Sequence, residues 1–274
     1  MSGRRRQEAG PDFPWWLLAL GGLLLWLFAE ILSDEHYRAA LVMLSEGIRI
    51  TVLVSLTAFA GACLLGLVLA MMALSQRIWL RQIARFYVEL MRGIPMMVLL
   101  LYVAFALAPL LILGVNRVGG LFGADPLTTR DFPLLWRAVL ALVLAYSAFL
   151  AEIFRAGIGA VNQGQVEAAD ALGLSRWQRF RLVVFPQAFR LILPPLGNDF
   201  IAMVKDSSLV AVLGVTDIAQ LAKVASSTNF RYMETYNVAA MLYLVMTLGL
   251  SLVLRWIERR LAVRPEPGGS ASRR

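Results

Sequence analysis

The chain has 274 residues, 59% of them hydrophobic and 16% charged, with a formal net charge of +8 and a mean hydropathy of +0.69. Soluble domains carry about a quarter charged residues, so a soluble globular domain is excluded and most of this surface meets lipid. A single cysteine, Cys63, and a single histidine, His36, exclude a disulfide framework and a Cys/His metal cluster.

Crossing a hydrocarbon core takes about 20 apolar residues at 1.5 Å rise each, and six stretches reach that length. The first, residues 13–32, carries Glu30 and follows Arg4, Arg5 and Arg6. It is too long for a signal-peptide core and no A-x-A site follows, so a retained helix is expected. The second, 50–76, places Ala58, Ala62, Gly66 and Ala70 at four-residue intervals. Such a flat face lets helix backbones approach closely in lipid. The third spans 93–116 and the fourth, 132–151, includes Arg137.

The fifth stretch, 188–214, differs chemically. Its twelve Leu, Ile, Phe and Val residues contribute about −4 to −7 kcal/mol to insertion, against about +7 to +10 for Asp199, Lys205 and Asp206. It cannot face lipid. Pro194, Pro195 and Gly197 predict an interruption, which at membrane depth requires surrounding protein or a water-filled cavity. Asp199 and Asp206 share one face, as do Asn198 and Lys205, so a hydrated path along this helix is expected, with an interfacial ion-pair network as the alternative. The sixth stretch is 235–254, and the Pro/Gly/Ser-rich tail beyond 262 reads as disordered.

Counted loop by loop with the chain starting inside, 18 Lys and Arg fall on the inner side, among them Arg77, Arg81, Arg85 and Arg92 between the second and third spans, and seven on the outer side, among them Arg137, so the positive-inside bias places both termini in the cytoplasm. The same bias accounts for the net charge without nucleic acid. Glu89 with Arg92, and Glu152 with Arg155, sit three apart near inner ends of spans, which predicts anchoring ion pairs. Alternatively, Glu152 recognises a cationic group on a passing solute.

Between the fourth and fifth spans, Gln165 to Leu172 has helical composition and Gly173 sits where a left-handed residue would stop it. Ser175-x-x-Gln178 predicts a capping box opening a second helix, which Pro186 should end or turn. Two short angled helices facing the cytoplasm are expected. The spacing E-A-A-x3-G-x9-V-x-F-P over 167–186 resembles the E-A-A loop of ABC importer permeases. Further matches are YVELMRGIP at 87–95, AEIFRAGI at 151–158, GQVEAADALGLS at 164–175, FPQAFRLILPPLGNDFI at 185–201 and KDSSL at 205–209. Together they resemble the polar amino acid subfamily, with histidine-, glutamine-, arginine- and glutamate-type permeases. Ile94, Ala156 and Ser207 depart from the family's usual Thr, Gly and Thr, and the loop 114–131 is long, which leaves the solute open.

The resemblance implies an all-α integral membrane protein with about six transmembrane helices. One N-terminal helix and outer loop (1–46) precede a five-helix type I importer core (47–261), whose cytoplasmic coupling loop covers about 157–187, and a tail (262–274) follows. It further implies that Glu167, Ala168, Ala169 and Gly173 seat on a nucleotide-binding subunit, with Arg176 and Arg179 beside them. The charge patterns, and not the resemblance, put Glu152, Asn198, Asp199, Lys205, Asp206, Glu89 and Arg92 on the expected solute path. The implied partners are a dimer of cytoplasmic ATP-binding subunits, a second copy or sibling permease, and a periplasmic or lipid-anchored amino acid binding protein. The outer loops with Asp34, Glu35, Asp125, Asp131, Asp217 and Glu234 are the expected docking surface for that protein.

No cofactor is expected on this chain, because ATP and Mg belong to the partner. Its only lysines, Lys205 and Lys223, do not follow glycine, as a P-loop requires. The implied function is a membrane-spanning permease subunit of an ATP-driven polar amino acid importer in the cell inner membrane. Alternatives are a permease for an opine, ectoine or other modified amino acid, and a non-transporting membrane receptor or scaffold. A self-sufficient secondary transporter would need internal repeats, and none is found.

Overall fold

A computed structural model describes residues 15–261, which form helices and turns with no strand among them. Arg4, Arg5, Arg6 and the 262–274 tail lie outside the described residues. Helix α1 (Trp15–Ser33) gives way after one residue to α2 (Glu35–Ala73). Asp34 is extended and its carboxylate accepts the His36 backbone N–H at 2.6 Å, which caps a new helix at that point. With 39 residues, α2 is about 58 Å long, so it contains the expected second span and starts well before it. Position 47 falls inside this helix.

The basic segment expected to be an inner loop is instead a helix, α3 (Ile78–Gly93). It has three faces. Ala84 and Val88 are buried against α2 and α6, Trp79, Ile83, Phe86 and Leu90 form an exposed apolar stripe at helical spacing, and Arg81, Arg85, Glu89 and Arg92 occupy the third. Ile94 is extended because Pro95 follows, and the helix ends there.

Helix α4 (Met96–Tyr102), a π-helical turn (Val103–Leu107) and α5 (Ala108–Gly120) then run as one rod. The widened turn follows from Pro109, which has no N–H and whose ring would clash in a regular α-turn. The Ala108 N–H reaches back to Val103 O, so neither neighbouring backbone nitrogen serves Ala104 O. Arg137 does, donating to it from Nη1 at 3.0 Å.

Helix α6 (Leu134–Gly159) is the most enclosed span, with 61% of its apolar window buried against 11–33% for the other three long spans. The small-residue face of α2 explains this. Ala58, Ala62 and Ala70 are fully buried, and a Cβ built on Gly66 would lie 3.0 Å from Ser147 O and 3.1 Å from Leu150 Cβ of α6. The flat face predicted for residues 58–70 is therefore a helix-packing seam.

Helix α7 (Gln163–Ala171) and α8 (Arg176–Arg179) make the angled corner. The chain does not stop at Pro186, contrary to the sequence expectation. A second π-helical turn (Phe180–Val184) leads directly into α9 (Phe185–Asp206), with the Phe185 N–H on Phe180 O. The device is the one seen before Pro109. Nor do Pro194, Pro195 and Gly197 interrupt α9, which is helical throughout. The break comes later, where a 3-10 segment (Ser207–Leu213) ends at the left-handed Gly214 (φ +77°). Helix α10 (Ile218–Asn229) follows at 49°, then α11 (Tyr232–Leu261).

Four helical runs among the described residues are long and apolar enough to cross a membrane, five if the 49° pair counts as one crossing. The remaining expected crossing, the first in the chain, corresponds to α1, whose apolar part, Leu18–Ser33, is shorter.

Gly47 marks the closest approach between α2 and the start of α10. A Cβ there would lie 2.5 Å from Ile218 N and 2.7 Å from the Asp217 carbonyl carbon, both backbone atoms that cannot rotate aside. Gly47→Ala is expected to destabilise the protein by about 1–3 kcal/mol, measured as a lower melting temperature in detergent. Gly114→Ala, inside α5 with nothing within 4 Å, should not lower it.

Candidate functional site

The corner between α6 and α9 is built by local rules. Asn162 caps α7 by accepting the Gly164 N–H at 2.8 Å. At its other end Gly173 is left-handed (φ +72°), the Gly173 N–H bonds Asp170 O and the Leu174 N–H bonds Ala169 O, a Schellman closure. Ser175 and Gln178 form the reciprocal capping box that opens α8.

This corner turns some expected contact residues outward and others inward. Glu167, Ala168, Gly173 and Arg176 are exposed. Ala169 is buried, so its small side chain serves packing within the corner. Arg179 is half-buried, and its Nη1 donates to both carboxylate oxygens of Asp170 at 2.5 and 2.6 Å. It locks α7 to α8 rather than projecting from them. Gln187 Nε2 adds a bond to Gln165 Oε1 at 2.5 Å, tying α9 to the same corner.

Two exposed apolar residues beside this polar motif were not anticipated from the sequence. Leu172 is 81% and Trp177 67% exposed, immediately before and shortly after Gly173. Trp177 heads a row of rings, with Phe180, Phe185 and Phe189 at centroid spacings of 6.0, 6.0 and 5.8 Å. Large apolar groups next to a helix-stopping glycine were the available signal.

The residues expected along a solute path divide into two groups. Glu89, Arg92 and Glu152 come together, lining a cavity of about 530 Å³ with Arg81, Gln82, Arg85 and Arg155, walled by Leu69, Ala73, Ala84, Val88 and Ala151. Glu152 accepts from Arg155 Nη2 at 2.6 Å. The expected Glu89–Arg92 pair does not form. Arg92 lies over the Phe149 ring instead, 5.7 Å from its centroid, where a cation is attracted to the π face. Arg81 and Arg85 stand one turn apart on the cavity face of α3, and they were missed because that segment read as a loop.

Asn198, Asp199, Lys205 and Asp206 are not on this cavity. Asp206 accepts from the Tyr146 hydroxyl at 2.8 Å, which joins α9 to α6. Asn198 and Lys205 are exposed and Asp199 is half-buried on α9. Arg137, counted from sequence as an outer charge, is buried and donates to the carbonyls of Thr129, Phe132 and Ala104.

The outer acidic set is also smaller than expected. Asp217 is fully buried as the N-cap of α10, accepting from the Gln220 N–H at 2.8 Å and the Tyr243 hydroxyl at 3.0 Å. It belongs to the fold. Glu234 pairs with Arg231 at 3.0 Å, while Glu35, Asp125 and Asp131 are exposed.

This helical scaffold, with its charged cavity beside an exposed angled corner, matches a known class of membrane transport subunit. A family model described as the binding-protein-dependent transport system inner membrane component covers residues 62–263, and the chain belongs to that family. The glutamine transport system permease protein GlnP of Escherichia coli (strain K12) is 35% identical over 225 residues, covering 82% of this chain and 95% of GlnP. The arginine transport system permease protein ArtQ of Bacillus subtilis (strain 168) is 33% identical over 219 residues, covering 79% of this chain and 91% of ArtQ. Among solved structures, a crystal structure of an amino acid ABC transporter with histidines matches with a TM-score of 0.66 and 37% identity, over 80% of this chain and 94% of that one.

The protein is therefore a multi-pass permease subunit of an ABC importer in the inner membrane. A partner ATPase uses the ATP, and a substrate-binding protein completes the system.

The Asp170–Arg179 pair yields a direct test. Exposed ion pairs contribute about 0.2–1 kcal/mol, so Asp170→Arg or Arg179→Asp alone should destabilise the corner by about that amount. The double variant, which restores opposite charges at the same positions, should recover most of that loss. Melting temperatures of the three variants in detergent check it.

Proposed function

We propose that this subunit carries polar amino acids inward, paired with a second copy or a sibling permease, with both termini in the cytoplasm and residues 47–261 as the transporting unit. The observation that carries the reading is the cavity at the α3–α6 junction, where both signs of charge meet apolar walls inside a membrane subunit. A zwitterionic amino acid needs such a place. Its carboxylate matches the guanidinium groups of Arg81, Arg85 or Arg92, and its ammonium matches Glu89 or Glu152. GlnP and ArtQ, named for glutamine and arginine transport, support the same solute class.

In this reading the exposed face of the corner, with Glu167, Ala168, Gly173 and Arg176, seats on the ATPase subunit. Leu172 and Trp177 give that contact an apolar centre of the kind that dominates protein interfaces. ATP closes the ATPase pair, draws the two corners together and favours a cavity open to the binding protein. It does so only because ATP binds that state more tightly than the other. Asn198, Asp199 and Lys205 on α9 line the path between the two permease chains, and Asp206 fixes that helix through Tyr146.

Two measurements test this. The permease reconstituted with its ATPase and binding protein should show ATP-dependent uptake of labelled glutamine, glutamate, arginine or histidine; absence of uptake for all of them, with uptake of an opine or ectoine instead, would overturn the solute class. Within a working transporter, Glu152→Gln is expected to raise the half-saturating solute concentration or cut the uptake rate by about tenfold, the effect of losing one charge-assisted hydrogen bond of about 1.4 kcal/mol. Unchanged transport and selectivity would remove Glu152 from the site.

A further inference from the structure

The hairpin that follows α5 is a closed framework with an apolar tip. The Leu121 and Phe122 N–H groups tighten the last helical turn onto Val118 O and Gly119 O, and the Ala124 N–H returns to Gly119 O across the left-handed Gly123 (φ +72°). The returning chain is pinned on both sides. The Asn116 side chain exchanges two hydrogen bonds of 2.8 Å with the Leu127 backbone, and the Asp131 carboxylate accepts from the Thr128 N–H at 2.6 Å and hydroxyl at 2.8 Å. Those bonds hold the Asp131 carboxyl below the usual carboxylate range, the backbone bond foremost. Arg137 ties the far end through Thr129 O and Phe132 O.

All of this order presents Leu121 and Phe122, which are 82% and 83% exposed. Their setting identifies what covers them. Leu111, Val115 and Val118 are exposed at helical spacing, forming a stripe on the membrane-spanning rod that continues directly to Phe122. Leu110 and Leu113 widen it. The 25-residue rod Met96–Gly120 is about 37 Å long, against about 30 Å of hydrocarbon. Its overshoot places the hairpin tip at headgroup depth, where aromatic side chains concentrate. Arg117, one turn before Leu121, is exposed at the same level, and its long side chain reaches lipid phosphates.

We propose that Leu121 and Phe122 insert into the boundary between headgroups and acyl chains, anchoring this hairpin on the lipid leaflet at the end of the rod opposite Pro95. The proposal requires a membrane-spanning rod and is independent of the solute and of which side that leaflet faces, so it stands or falls separately from the proposed function.

The test uses the complete transporter in liposomes, with a Cys63→Ser background. Phe122→Cys carries an environment-sensitive fluorophore, and Asp125→Cys in the same hairpin serves as the water-exposed reference. At position 122, a nitroxide near the top of the acyl chains should quench most of the emission while aqueous iodide leaves it intact; at 125 the order should reverse. Iodide quenching at 122 as strong as at 125 would put the tip in water and overturn the proposal, whatever the lipid quencher does. Protection from both quenchers would show that another protein chain covers the tip, and would overturn it equally. Because the fluorophore replaces the ring under test, a second variant carries it at Asp125 beside Leu121→Ser and Phe122→Ser. Loss of the anchor should raise iodide quenching there, and no change would count against insertion.

Discussion

The close approach of α2 and α6 is the contact on which the other features of this protein depend. Lipid offers no hydrophobic gain for pressing two apolar helices together, so their association rests on dispersion contacts between surfaces that fit. Ala58, Ala62, Gly66 and Ala70 remove side-chain bulk along one line, and α6 fills it with Ala138, Ala141, Ala145 and Leu142, all buried. Once α6 is held there, α3 has a place to dock. The Tyr87 hydroxyl donates to Leu144 O at 2.9 Å and lies 2.9 Å from Ser147 Oγ. The charged cavity is simply the space left where α2, α3 and α6 diverge at that end. Without the seam, Glu89, Arg92, Glu152 and Arg155 would not share a volume.

Several polar groups follow one rule: each is spent on a backbone or side-chain partner that lipid cannot supply. Pro109 opens the π-turn in the third span, and Arg137 fills the vacancy at Ala104 O. Pro186 opens a similar turn at the corner, where α8 and its neighbours are exposed and no buried arginine is spent on it. The same proline geometry thus has two different consequences, set by what surrounds it. Asp217 and Asp206 obey the rule from the acceptor side, each holding a tyrosine hydroxyl from a different helix, Tyr243 on α11 and Tyr146 on α6.

Much of this was legible in the sequence because it is local or periodic. Spans announce themselves by length and hydropathy, the small-residue face by its four-residue spacing, and the corner by Gly173 and the Ser175–Gln178 box, whose geometry depends only on neighbouring residues. What escaped depends on partners distant in sequence. The 77–93 segment read as a loop because Arg81, Arg85 and Arg92 dilute its apolar content, although Trp79, Ile83, Phe86 and Leu90 already mark a helix face. Pro186, Pro194 and Pro195 read as breaks, since the cost of proline in a helix is known from the sequence while the turn that relieves it is not. Arg137 and Asp217 read as outer charges, because nothing local shows that Ala104 O or the Tyr243 hydroxyl will meet them. The Glu89–Arg92 pair failed for the same reason, as Phe149 on α6 competes for the guanidinium.

The continuity of the α8–α9 rod bears on how motion could cross the protein. From Arg176 to Leu213 the chain is helical without a gap, and the Asp170–Arg179 and Gln165–Gln187 bonds fasten α7 to its first turns. No non-helical residue separates the corner from Gly214. Beyond that bend, α10 is held by its capping aspartate to α11 and, through the close contact of Ile218 with Gly47, to α2. The Ile218 N–H also reaches Thr51 Oγ1, at 3.4 Å. A partner that moves the corner must move these far contacts too or bend the rod. Packed helices switch between discrete arrangements more readily than they deform, so the rod and its two fastened ends join the corner to α10, α11 and α2.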